Sequence, residues 1–322
     1  MIEKYYDGAI EQVAAGLGTV EKNYLLVRYS GQFSVENLND TKQLEKNEDI
    51  FVQVHEFETG EITCAYEPYL TMICDGFRRY MTGTFEEFME TCDVYYLHRP
   101  VLLGYFNQDN TGREEIILLD EVAYEQERML AALERMLCAI ADRHPVLFVL
   151  NRFQLASKST MQLTARFLKC ENCNIGLVLG VSDIQAMPEF LVPDWEMLYE
   201  TLDDGSKIYH IGNSGRKKEE TIDDEKYVDY GSEKVYRKLQ NMVEFLDFDQ
   251  AAYYLETIER KIKFDNLLVD DAARFRISGG FGVELDGFCA HFCRQFRADN
   301  LLAFGKADVF IVVAHRRLGG RG

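Results

Sequence analysis

The stretch YLLVRYSGQFSVENL, Tyr24 to Leu38, runs from apolar strand residues through a glycine turn into a helix-like segment. That is the chain path of a phosphate-binding loop. Such a loop needs G-x-x-x-x-G-K-[ST]. Its glycines let backbone N–H groups close on phosphate, its lysine neutralises the outer phosphates and its hydroxyl holds magnesium. With Gly31 as the first glycine, the second falls at Glu36, the lysine at Asn37 and the hydroxyl at Leu38. Glu36 sets a negative charge where a polyphosphate would sit. At the start of a helix it is itself suited to act as an intramolecular substitute for the anion. A second stretch, VLFVL (Val146–Leu150), is followed by Asn151 and Arg152. Asparagine coordinates magnesium weakly and arginine cannot act as a base. Gly31, Asn37 and Asn151 are therefore the candidate positions of a vestigial nucleotide site, with no catalytic residue and no metal ligand among them.

Other stretches are weaker. CENC (Cys170–Cys173) has metal-knuckle spacing, and CAHFC offers Cys289, His291 and Cys293, about 120 residues away in an unlike segment. A zinc site needs four ligands in a tetrahedron, and one CxxC before a buried strand reads better as packed thiols. HEFETGE (His55–Glu61) has Thr59 where HExxH has its second histidine, so His55 reads as a strand-end histidine. IILLDE (Ile116–Glu121) ends in Asp-Glu, but it precedes the long helical pattern rather than following it, and Asp120 reads as that helix's N-cap. No GxSxG nucleophile elbow occurs. A Ser/His/Asp set needs no adjacency in sequence and stays open.

These residues need elements to position them, and the chain supplies a regular alternation. Helical periodicity is expected over residues 2–18, from Val35 to Lys46, from Pro68 to Met81 with proline in the first turn, and over 121–143, stopped at His144-Pro145. Thr84 with Glu87 three residues on predicts a capped helix over Thr84–Cys92. Strands are expected at Leu25–Tyr29, Ile50–Phe57, Val146–Leu150 and Ile175–Val181. Continuous apolar strands between helices predict a parallel sheet covered on both faces. Residues 1–214 thus read as one α/β domain, 215–232 as a charged linker and 233–276 as a short helical-repeat segment. Residues 277–322 form an atypical tail. From 271 onward there are seven Arg, one Lys and no Tyr, a shift that truncation or a change of reading frame would produce.

Bulk properties limit partners. The 322 residues carry 54 acidic and 35 basic side chains, a net charge of −19, which argues against a broad basic face for DNA, RNA or an anionic membrane. No apolar run approaches the roughly 20 residues that span a bilayer, and MIEKYYDGAIEQ lacks the basic segment and apolar core of a signal peptide. The eight cysteines are scattered and are expected to be reduced thiols. A cytoplasmic protein is expected. The many Tyr and Phe residues are expected mostly in the core; any excess exposed on the helical segment would mark a partner surface.

The order of these pieces resembles an AAA/STAND-type P-loop ATPase module followed by a partial TPR-like helical repeat. GEITCAYEPYLTMICDGFRRYM resembles the family's PYxPxxEALR helix. ERMLAALERMLCAIADRHPVLFVLNRFQLAS is similar to its Walker B passage, NIGLVLGVSD to its sensor strand and KIYHIGNSG to its closing strand. The likeness covers about 1–215 and, more weakly, 231–276. It implies a P-loop-like parallel sheet with helices on both faces and a place upstream of effectors in bacterial signalling proteins. With both Walker motifs degenerate, it further implies a non-catalytic regulatory or scaffolding module, a pseudo-ATPase without cofactor, working through a protein partner or self-association. An effector such as a GGDEF diguanylate cyclase would then be missing from the chain. The alternative implied by the same likeness is a nucleotide-binding ATPase that uses ATP and magnesium through an unorthodox P-loop.

Overall fold

The computed structural model describes residues 2–17, 23–30, 35, 49–58, 63–108, 122–170, 174–182, 187–202, 208–211 and 233–254. The chain divides into two compact units. The first holds Met1–Val94 and Leu130–Val228, the second Tyr95–Met129 and Asp229–Gly322.

The first unit is built on a five-stranded sheet: β1 (Tyr24–Tyr29), β2 (Phe51–Glu56), β3 (Val146–Asn151), β4 (Ile175–Ser182) and β5 (Ile208–Ile211). The strand order is β2-β3-β4-β1-β5 and every pairing is parallel. This is the α/β class that the apolar runs imply. β3 and β4 are buried along their full length, because helices cover both faces. On one face α1 (Ile2–Gly16) lays Tyr6, Ile10 and Val13 against Leu25, Val27, Leu147, Val149 and Val178. On the other, Tyr69 of α2 (Tyr69–Tyr80) meets the ring of Phe148 at 4.7 Å and that of Phe167 at 5.3 Å. Phe167 belongs to α6 (Lys158–Lys169), which packs beside α7 (Val192–Leu202).

α1 comes close to the sheet because two positions of β4 carry no side chain. A Cβ on Gly176 would lie 2.7 Å from Val13 Cγ1, and one on Gly180 would meet the Tyr6 hydroxyl and lie 2.6 Å from Asn151 Oδ1. Both glycines point to the α1 face, four residues apart on an alternating strand.

α3 (Phe85–Thr91) begins as its sequence suggests: Thr84 Oγ1 accepts from the Glu87 N–H at 3.2 Å and Glu87 Oε2 accepts from the Thr84 N–H at 2.9 Å. Thr84→Ala removes one half of this box. It is expected to cost about 1 kcal/mol, read as a lower midpoint in urea unfolding. α6 is capped by Ser157, whose hydroxyl accepts from the Thr160 N–H. A row of buried hydroxyls then ties the start of α6 to the turn before α2. Ser159 Oγ accepts from Tyr66 N–H at 3.0 Å, Thr160 donates to Glu67 O at 2.8 Å, and Thr164 and Tyr69 share a 2.6 Å bond. Buried polar groups of this kind are stable only when partnered, and these are.

The second unit holds α4 (Arg99–Asn107), the first part of α5 (Val122–Ala141), α8 (Glu233–Glu244) and helical residues 248–254. Phe245 is buried with its ring 5.9 Å from Tyr105, and Gln126 donates to Leu246 O. His98 and Glu125, both buried, pair at 3.1 Å, while the Arg128 guanidinium lies 4.0 Å over Tyr95 and 4.2 Å over Tyr124. No helix of the described residues is long and apolar enough to cross a membrane. The helix expected after Val35, the capping role of Asp120, the 215–232 linker and the 277–322 tail lie outside the described residues.

Candidate functional site

Strand order decides where a ligand could enter. β1 connects to β2 at the far edge, past β4 and β3; from there the strands advance the other way, through β3 and β4 to β5. Right-handed crossovers in opposite directions leave the sheet on opposite faces. Val35, just after β1, packs with α1 on one face, and α2 and α6 lie on the other. The carboxyl ends of β1 and β4 therefore bound a topological switch point, the place where open α/β sheets hold ligands.

Register fills that place with polar groups. Glu56 pairs with Asn151 across β2–β3, and Tyr29 with Ser182 across β1–β4. Side chains of paired residues share a face, so Tyr29, Glu56 and Asn151 all end their strands on the α1 side. Tyr29 OH donates to Asn151 Oδ1 at 2.7 Å, and Asn151 is fully buried. Burial pushes the Tyr29 hydroxyl up to about 12; the nearby Arg152 guanidinium and the Asn151 bond act the other way, and Glu56 adds to the rise. Tyr6 is also raised, mainly by burial and then by Tyr29 and Glu56.

The carboxylate of Glu56 uses its two oxygens separately. Oε2 accepts from the Val35 N–H at 3.1 Å; Oε1 lies 3.3 Å from Arg152 Nη2. Both contacts are charge-assisted. Arg152 adopts φ 53°, ψ 42°, the left-handed region, which costs a non-glycine residue about 1 kcal/mol. Its ion pair with Glu56 helps offset that strain. The next residues form a 3₁₀ turn, Phe153–Leu155, and Gln154 binds the backbone of Ser182 reciprocally: Nε2 to Ser182 O at 3.2 Å and Ser182 N–H to Oε1 at 3.3 Å. A side-chain amide here replaces a strand neighbour at the end of β4. The Phe153 ring lies 6.4 Å from Trp195 of α7.

Of the sequence-derived positions, Asn151 stands in this polar layer, holding Tyr29. Gly31 and Asn37 lie outside the described residues, as does Glu36. Among the described residues it is Glu56, at the end of β2, whose carboxylate meets an N–H of the segment after β1. Sequence reasoning passed over Glu56, Tyr29 and Gln154. The available signal was their place at or just beyond the carboxyl ends of apolar strands, where a charged or hydroxylated residue faces the ligand side of a parallel sheet. His55 lies on β2 with its ring 4.5 Å from Phe57. Cys170 follows α6, and its CxxC partner Cys173, with Cys289, His291 and Cys293, lies outside the described residues. No family model, no curated protein and no solved structure matches this chain.

Proposed function

We propose that the chain is a non-catalytic regulatory or scaffolding module of a bacterial signalling protein. It derives from an AAA/STAND-type P-loop ATPase and acts through contact with a protein partner or a second copy of itself. The observation that carries this reading is the Glu56 carboxylate on the Val35 N–H, backed by Arg152. An ATPase of this class brings phosphate to the loop after β1 and keeps acidic groups for magnesium and water at the end of the strand that stands where β3 does here, one strand removed from β1. Here the two signs are exchanged: an internal carboxylate lies at the loop and an arginine follows the strand.

The residue best placed to ligate magnesium, Asn151, has its Oδ1 occupied by the Tyr29 hydroxyl. The Arg152 guanidinium is a hydrogen-bond donor with no acceptor and supplies no base. What such a crevice retains is rigidity, a sheet end tied across β2, β3 and β1 by side chains rather than by a ligand.

The test is a calorimetric titration of the full chain with ATP and with ADP in the presence of magnesium, beside a phosphate-release assay and sedimentation over a range of protein concentrations. No binding heat at millimolar nucleotide, no turnover and concentration-dependent association are expected. Micromolar nucleotide binding would overturn the reading in favour of a working ATPase with an unorthodox loop.

A further inference from the structure

We infer that the Val35 N–H and the Arg152 guanidinium form a binding site for a small oxyanion, held closed by Glu56 as a built-in competitor. This rests on the reading of the crevice as one that no longer takes nucleotide, and it adds what the crevice can still take. The two donors address opposite oxygens of one carboxylate, at 3.1 Å and 3.3 Å. A donor pair spaced for the two oxygens of Glu56 is equally spaced for two oxygens of a free carboxylate or phosphate. The cradle is built rather than incidental. Val35 is buried, packed in the α1-face core, so its N–H is held in place, and Arg152 is held in a left-handed turn at the end of a fully buried strand.

The latch itself lies at the rim. The Glu56 side chain is 18 % exposed and that of Arg152 is 29 % exposed, which leaves a way in from solvent. A tethered carboxylate competes at an effective concentration of about millimolar or more. Free phosphate or acetate therefore does not enter the site of the wild-type chain, and acts on that chain only as a general salt. An occupant displaces Glu56 only by bringing further contacts, and doing so releases β2 from Arg152. Occupancy would thereby reach the end of the sheet as a mechanical signal.

The experiment measures the thermal midpoint of the full chain against inorganic phosphate and, separately, acetate. It uses wild type, Glu56→Ala, Glu56→Gln and the double variant Glu56→Ala with Arg152→Ala. Wild type and the double variant give the baseline of general salt stabilisation. Glu56→Ala is expected to gain roughly 2–4 °C over that baseline at ten times the anion's dissociation constant. Glu56→Gln keeps the length and an acceptor for Val35 N–H, so it secures a folded protein. It is expected to show a smaller gain in the same direction. A response to acetate alone identifies a carboxylate ligand, one to phosphate alone a phosphate ligand; either supports the site.

Two results overturn it: a folded Glu56 variant with no response above baseline, or a wild-type response equal to that of Glu56→Ala. Neither touches the nucleotide titration of the wild-type chain. An oxyanion site can thus fail while the non-catalytic reading stands, and nucleotide binding by wild type can overturn that reading whatever Glu56→Ala does.

Discussion

Gly180→Val is expected to lower stability by about 3 kcal/mol or more, enough to shift the urea midpoint well outside error. The β-carbon alone would meet the Tyr6 hydroxyl, and would stand 2.6 Å from Asn151 Oδ1 and 2.9 Å from Tyr6 Cε2. Neither neighbour can yield cheaply. Tyr6 is fully buried in the α1-face core, and Asn151 is fully buried while accepting from Tyr29. To admit two further methyl groups, α1 must lift from β4, giving up the packing of Ile10 and Val13 as well. Gly8 provides the control. A β-carbon there meets nothing within 4 Å, and its place within α1 favours alanine by about 0.5–1 kcal/mol. Gly8→Ala should therefore stabilise. If Gly180→Val unfolded at the wild-type midpoint, the close seating of α1 on the sheet would be wrong.

The second large effect is alkaline loss of stability. Burial raises the hydroxyls of Tyr6, Tyr29 and Tyr69, with Tyr29 at about 12 against an ordinary 10. A group whose folded pKa lies above its unfolded value contributes stability that is complete below the unfolded pKa. That contribution is lost as pH rises through the folded one, because the unfolded chain sheds the proton first. The window for Tyr29 thus opens near pH 10 and closes near 12. At about 1.4 kcal/mol per pH unit it amounts to roughly 3 kcal/mol. Tyr69 and Tyr6 act in the same direction, so stability should fall steeply across this range. Urea midpoints at pH 9 and pH 11.5 measure the fall, and Tyr29→Phe should show a visibly smaller drop than wild type. An equal drop in both would mean that the Tyr29 hydroxyl is not protected from water as described.

The parallel sheet could be read from the chain because its signals are local. VLFVL and IGLVLGV are apolar at every position, which only a strand covered on both faces tolerates. The Thr84 and Glu87 pair announces α3 because a capping box spans just four residues. α4, α6 and α7 lie beyond the elements that the sequence pattern predicts, although Ser157 before α6 is a readable cap. The polar layer was less legible still. Asn151 drew attention only as a missing acid, since the Tyr29 hydroxyl that it holds is 122 residues away. Glu56 meets Arg152 and Val35 through strand register, and register is a tertiary fact that no spacing rule along one strand reveals. The grouping of residues 95–129 with 229–322 in one unit likewise has no local marker.

Trp195 is the chain's sole tryptophan. Its ring lies 6.4 Å from Phe153, the residue directly after Arg152. Light absorbed at the red edge of the aromatic band, where tyrosine and phenylalanine contribute little, is therefore collected at one place. The intrinsic fluorescence of the protein reports from beside the polar end of the sheet, without a label.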